Sequence, residues 1–137
     1  MDETLYTKAL IEKADNGEIT AIASTAVEDR QGEIVEVEGW DLKDFKANPV
    51  ILWGHDHSQL PIGKATKVWV EGTGRKAKLM TKIAFQEVTE MGRAVKQLVA
   101  DGVLKTLSVG FMPVDGEGNR FTKQKLLEIS VVNVPAN

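Results

Sequence analysis

Leu107-Ser108-Val109-Gly110-Phe111 is the stretch on which the reading of this chain turns. Side chains on a strand alternate between faces, so Leu107, Val109 and Phe111 share one side while Ser108 and Gly110 share the other. A small hydroxyl beside a glycine leaves an open strip of backbone on a face otherwise walled by bulky groups. Such a strip suits an accessible nucleophile, and equally an ordinary barrel strand.

The surrounding chain is rich in short strands of the same kind. A strand running into Asn16-Gly17 and another leaving it, Glu18 to Val27, read as a hairpin. Glu28 to Gly32 is a loop, and Glu33 to Val37 alternates weakly until Gly39-Trp40 ends it. Asp41 to Lys46 has helical composition, closed by Asn48-Pro49 because the residue before proline is pushed out of the helical region. Val50 to Trp53 is apolar on both faces, as a buried central strand is. Lys64 to Val70 and Lys76 to Phe85 form a second hairpin around Glu71-Gly72-Thr73-Gly74. One helix is plain, over about 87–101: Val88, Met91, Val95, Leu98 and Val99 recur at helical spacing, and Asp101-Gly102 ends it. Asp115 to Asn119 reads as a loop and Leu126 to Val134 as the last strand. The expectation is a mainly β fold, a small closed or partly open barrel with that helix packed outside.

A length of 137 residues is most economically one domain, 1–137, with a real core. Net charge is −3, from 17 basic and 20 acidic side chains, and no basic block carries interleaved aromatics. Nucleic acid is not an expected partner. There are no cysteines, which excludes thiol catalysis and cysteine-ligated zinc. The acidic N-terminus lacks the apolar core of a signal peptide, and no run approaches the ~18 apolar residues of a membrane span. A soluble, intracellular chain that touches no membrane is expected.

The chain has only two histidines, His55 and His57, both at the exit of the Val50–Trp53 strand. Imidazole titrates near neutrality and suits proton transfer, although surface histidines on a polar loop would look the same. His55-Asp56-His57 offers three metal-ligand types, yet near-adjacent residues rarely converge on one tetrahedral ion. Ser108 would need a base to become a nucleophile, and only these histidines could supply an imidazole. The base in turn wants an orienting carboxylate. Glu128 stands out, an acid within the otherwise apolar Leu126-Leu127-Glu128-Ile129-Ser130-Val131-Val132, with Ser130 on its face. Such a glutamate is either a solvated edge residue or partnered.

Taken together, four segments carry a resemblance. Asn48-Pro49-Val50-Ile51-Leu52-Trp53-Gly54-His55-Asp56, Pro61-Ile62-Gly63, Leu107-Ser108-Val109-Gly110-Phe111, and Leu127-Glu128-Ile129-Ser130-Val131-Val132-Asn133-Val134-Pro135-Ala136-Asn137 come in this order. The ordered set closely resembles the prohead (capsid maturation) serine proteases of tailed phages, HK97 type, over about residues 18–137. The resemblance implies a barrel related to herpesvirus assembly proteases and a serine endopeptidase; no cofactor and no metal are expected. It implies Ser108 as nucleophile, His55 as general base and Glu128 as the third member, with His57 the alternative third group because the herpesvirus relatives use a second histidine. Substrates would be the phage's scaffold protein and major capsid protein inside the procapsid, in the host cytoplasm, with autocleavage, and a homo-oligomer would be compatible. The chain ends at Asn137, where many relatives carry a further tail. A non-catalytic capsid-assembly or scaffold module on the same fold is the alternative function. A metal-dependent hydrolase around His55 and His57 is the third.

Overall fold

The computed structural model describes residues 5–15, 17–28 and 32–133. Asn16 of the first turn, Asp29 to Gln31 of the first loop and the closing Val134-Pro135-Ala136-Asn137 lie outside the described residues. The fold is mostly β, with 51% of residues in strands.

The first hairpin pairs β1 (Leu5–Asp15) with β2 (Glu18–Thr25). Two short strands follow, β3 (Ile34–Val35) and β4 (Trp40–Asp41), then the one-and-a-half-turn helix α1 (Lys43–Ala47). β5 (Val50–Trp53) runs parallel to the last strand, and β6 (Gly63–Glu71) and β7 (Lys78–Phe85) form the second hairpin. Helix α2 (Glu90–Ala100) leads to the long hairpin β8 (Thr106–Glu117) and β9 (Arg120–Val132). The pairings run β9-β5-β6-β7-β2-β1-β8, and β8 returns to β9, so the sheet curls round on itself. β3 and β4 lie parallel to the polar half of β9.

The alternation anticipated for the Ser108 strand holds. Leu107, Val109 and Phe111 are buried in the core with Ile129, Val131, Ile51 and Leu79. Burying one such side chain is worth about 1.5–3 kcal/mol, so this face fixes the register of the central strands. Phe111 packs edge-on against Trp40 at 5.3 Å and Phe121 at 5.9 Å between ring centroids, which anchors the far end of the same face.

Three expectations need correction. The loop assigned to Asp115–Asn119 is mostly strand: β8 continues to Glu117, β9 starts at Arg120, and only Gly118-Asn119 turn. That extension is polar and Gly-rich, so hydrophobic pattern could not reveal it; its backbone is satisfied by cross-strand pairing and by β3 and β4. Gly39-Trp40 does not end the early segment, because Trp40 opens β4 and is itself buried. The helix expected over about 87–101 begins only at Glu90, so the exposed Val88 precedes it; on α2 the buried line is Gly92, Val95 and Val99, while Met91 and Leu98 are exposed. Gly92 is the reason: a Cβ there would lie 2.4 Å from the Gln86 carbonyl, so the helix seats on its glycine and turns the flanking apolar residues outward. Thr89 caps the helix, its Oγ1 accepting from Gly92 N at 3.0 Å.

Candidate active site

Ser108 pairs directly with Ser130 across β8 and β9, and Gly110 pairs with Glu128. Leu52 of β5 sits opposite Ser130 on the other side of β9. Directly opposed residues project to the same face with Cβ atoms about 4.5–5.5 Å apart. Ser108, Ser130 and Glu128 therefore share the face opposite the core.

Glu128 and Ser130 share that face by ordinary alternation, but burying Leu126 as well requires an irregularity in β9. Stepping by twos from Ile129 puts Leu127 on the core face, whereas stepping from Leu126 puts Glu128 there. Both cannot hold in a regular strand. A bulge resolves the conflict, since Gly110 pairs with Glu128 while the next residue, Phe111, pairs with Leu126. Leu126 is consequently fully buried and Leu127 is 37% exposed. The bulge keeps both Leu126 and Ile129 in the core while Glu128 stays on the serine face, a local re-aiming typical of bulges near functional sites.

His55 reaches the same face from the end of β5. Trp53-Gly54-His55-Asp56 is a tight turn closed by Asp56 N donating to the Trp53 carbonyl at 3.0 Å. Gly54 has φ 60° and His55 φ 61°, the signature of a type I′ turn. His55 is the one non-glycine residue among the described residues in this left-handed region. That conformation costs a side-chain-bearing residue about 1–2 kcal/mol. It is held by Gly54 N donating to the Val131 carbonyl at 2.9 Å and by His55 N donating to Ser130 Oγ at 3.0 Å.

The turn brings the His55 ring to the acid: Nδ1 makes a short hydrogen bond with Glu128 Oε2. Ser130 Oγ donates to the other carboxylate oxygen, Oε1, at 2.8 Å. Glu128 is only 2% exposed, and a buried carboxylate is tolerable because both oxygens are engaged. Gly110 supplies the room, for a Cβ there would stand 2.8 Å from Glu128 Oε2. With Nδ1–H donating to the carboxylate, Nε2 is left as the basic nitrogen of a neutral ring.

Of the residues singled out in sequence, His55 and Glu128 are brought into contact and Ser108 lies on their face. The open strip expected beside Ser108 is not there. Ser108 and Gly110 are buried, and the gap left by the glycine is filled by the Glu128 carboxylate. Ser108 Oγ makes no hydrogen bond among the described residues, an unmet donor of a kind that native interiors rarely keep. His57 is exposed, and the group that meets His55 Nδ1 is Glu128. Asp56 is clasped by Ser58, whose N and Oγ donate to Oδ1 at 2.9 and 2.5 Å, holding its carboxyl below the usual aspartate range. Among the described residues no three His, Asp or Glu side chains converge as metal ligands would. No helix among them is long and apolar enough to cross a membrane. A groove of about 950 Å³ lies elsewhere, lined by Trp40, Arg75, Arg120 and Lys125, and none of Ser108, His55 or Glu128 borders it.

Sequence reasoning missed Ser130 as more than a neighbour of Glu128, along with the left-handed turn and the bulge. A signal was available for the first, a hydroxyl two residues from a buried acid.

The sequence pattern that defines the caudovirus prohead serine proteases matches residues 23–137. The chain belongs to that family. It is 33% identical over 144 residues to the prohead protease of Escherichia phage T5, covering 96% of this chain and 65% of that protein. It is 32% identical over 146 residues to a capsid polyprotein of Pseudomonas phage PAJU2, covering 98% of this chain and 20% of the polyprotein. The chain thus spans less than two thirds of either phage protein. No solved structure matches it. The mainly β fold with one main helix anticipated from the strand pattern is borne out, the small barrel being a curled half-barrel sheet.

Proposed function

We propose that this prohead-protease-family chain is a serine endopeptidase acting in capsid maturation, with Ser108 as nucleophile, His55 as base and Glu128 as the acid orienting it. The observation that carries the reading is the Glu128 carboxylate on His55 Nδ1, on the face where Ser108 stands opposite Ser130. A carboxylate on Nδ1 fixes the tautomer and stabilises the imidazolium that forms when Nε2 takes a proton.

In that mechanism Ser108 Oγ attacks a peptide carbonyl carbon and its proton passes to His55 Nε2. The tetrahedral adduct collapses, the C–N bond breaks, and Nε2 returns the proton to the leaving amine. Water then attacks the acyl ester as His55 again takes a proton, releasing the new carboxyl end and restoring Ser108. The substrates we propose are the phage's scaffold and capsid proteins within the procapsid, and the chain itself by autocleavage. A similar stretch occupies part of a capsid polyprotein, which supports capsid protein as a target.

The Ser108 hydroxyl, buried and without a hydrogen bond among the described residues, favours a second reading, a non-catalytic assembly module on the same fold. On the protease reading the face over Ser108 opens for substrate. The protein incubated with its own scaffold and capsid proteins then cleaves them, Ser108→Ala and His55→Ala do not, and a fluorophosphonate labels Ser108. Full cleavage by Ser108→Ala would sink the assignment. Absence of cleavage and of labelling in assembled particles would favour the module.

A further inference from the structure

Ser130 has one hydroxyl and two partners that depend on it. Its proton goes to Glu128 Oε1, and its oxygen accepts the amide N–H of His55. It is fully buried and stands directly opposite Ser108. A hydroxyl can donate once and accept twice, so these two bonds are compatible and saturate its donor. The first bond holds one carboxylate oxygen so that the other faces the imidazole. The second bond steadies the left-handed backbone from which that imidazole projects.

We infer that Ser130 is a positioning residue that sets the tautomer and orientation of His55, acting on the acid through its proton and on the base through its lone pair. The inference rests on the protease reading for its catalytic consequence, but its structural content does not. Ser130 joins the acid and the base's own backbone through a single side-chain oxygen. The hydroxyl does not touch the reacting atoms in the proposed mechanism; it acts through its two partners. Removing it leaves one buried carboxylate oxygen short of a donor and one amide short of an acceptor. The carboxylate is then free to rotate, and the ring free to exchange tautomers.

Two measurements test this. Nitrogen NMR of the imidazole in the intact chain should show His55 protonated on Nδ1 alone in the parent. Ser130→Ala should give a mixture of tautomers and faster exchange of the His55 amide, and Ser130→Thr, which keeps the hydroxyl, should restore the parent signature. In fluorophosphonate inactivation the limiting rate should fall about 10–100-fold in Ser130→Ala, with half-saturation within about twofold, as loss of a hydrogen bond to a charged group predicts. An unchanged tautomer in folded Ser130→Ala would overturn the inference. So would an unchanged limiting rate in a parent that reacts. If the parent never reacts at Ser108, the protease reading fails and the tautomer measurement alone decides Ser130.

Discussion

Replacing Gly110 with alanine tests the geometry of the acid with a single methyl group. Gly110 does not have a positive φ, so alanine fits its backbone, and the consequence lies in the contact. The new Cβ would stand 2.8 Å from Glu128 Oε2 and 3.2 Å from its Cδ and Cγ, against 3.4 Å for an ordinary contact, so the carboxylate must retreat by about 0.6 Å. A loose surface glutamate would move without penalty, and the substitution would then stabilise by about 0.4–1 kcal/mol through the unfolded chain. Glu128 is not loose, since Ser130 and His55 hold its two oxygens. Overpacking at about 1–3 kcal/mol should win over the entropic gain, lowering the melting temperature by roughly 3–10 °C. The strained His55–Glu128 bond should cost about 10–100-fold in the acylation rate. The decisive comparison is a double-mutant cycle by chemical denaturation. With Glu128→Ala in the background, the clash partner is gone and Gly110→Ala should turn neutral or stabilising. If Gly110→Ala stabilises the parent, or destabilises both backgrounds equally, the tight seat for the carboxylate is refuted.

Other substitutions probe the remaining parts. Ser108→Ala should melt no lower than the parent in a thermal scan, because it removes a buried hydroxyl that makes no hydrogen bond among the described residues, while ending fluorophosphonate labelling. Gly54→Ala meets nothing within 4 Å, so its effect is pure backbone strain at φ 60°, about 1–2 kcal/mol by denaturant unfolding. Thr89→Ala should cost about 1 kcal/mol through the lost cap of α2, visible as faster amide exchange at Gly92. The Asp56–Ser58 clasp depresses the Asp56 carboxyl below its ordinary 3.8. Its contribution is therefore present above that value and lost as pH falls through the lower folded one. The protection factor of the Ser58 amide, its exchange rate corrected for the intrinsic pH dependence of exchange, should fall as pH drops through that acid range and stay unchanged between pH 5 and pH 7, and a loss of protection near neutrality would contradict the assignment.

Strand period made most of the barrel legible. Val50–Trp53 is an apolar strand in sequence and β5 in the structure, because burial on both faces leaves its signature in composition. The polar extensions of β8 and β9 left none, as their stability comes from backbone pairing that any side chain permits. Helix α2 was visible by period, but which apolar residues would be buried depended on Gly92 approaching Gln86, a tertiary contact no period encodes.

The site divides along the same line. The types of side chain that the proposed acyl transfer needs were countable, and with two histidines in the chain the candidates for a base were few. How they meet depends on two departures from regular strand geometry. Leu126, Leu127, Glu128 and Ile129 present two apolar phases that no regular strand satisfies, and the core resolves the conflict by bulging opposite Gly110. Burial of Ile129, about 1.5–3 kcal/mol, holds Glu128 on the serine face, and the bulge lets Leu126 be buried as well without carrying the acid into the core. Gly54 permits the turn, and His55 is forced into a left-handed conformation that histidine tolerates better than most residues. Ser130 then ties the two departures together, bonding the acid beside the bulge with its proton and the strained turn with its lone pair. The Leu-Leu-Glu-Ile-Ser run thus holds a core conflict, its resolution, the acid and the residue that steadies the acid, so a change made for packing at Leu126 or Leu127 should be felt in the chemistry at His55.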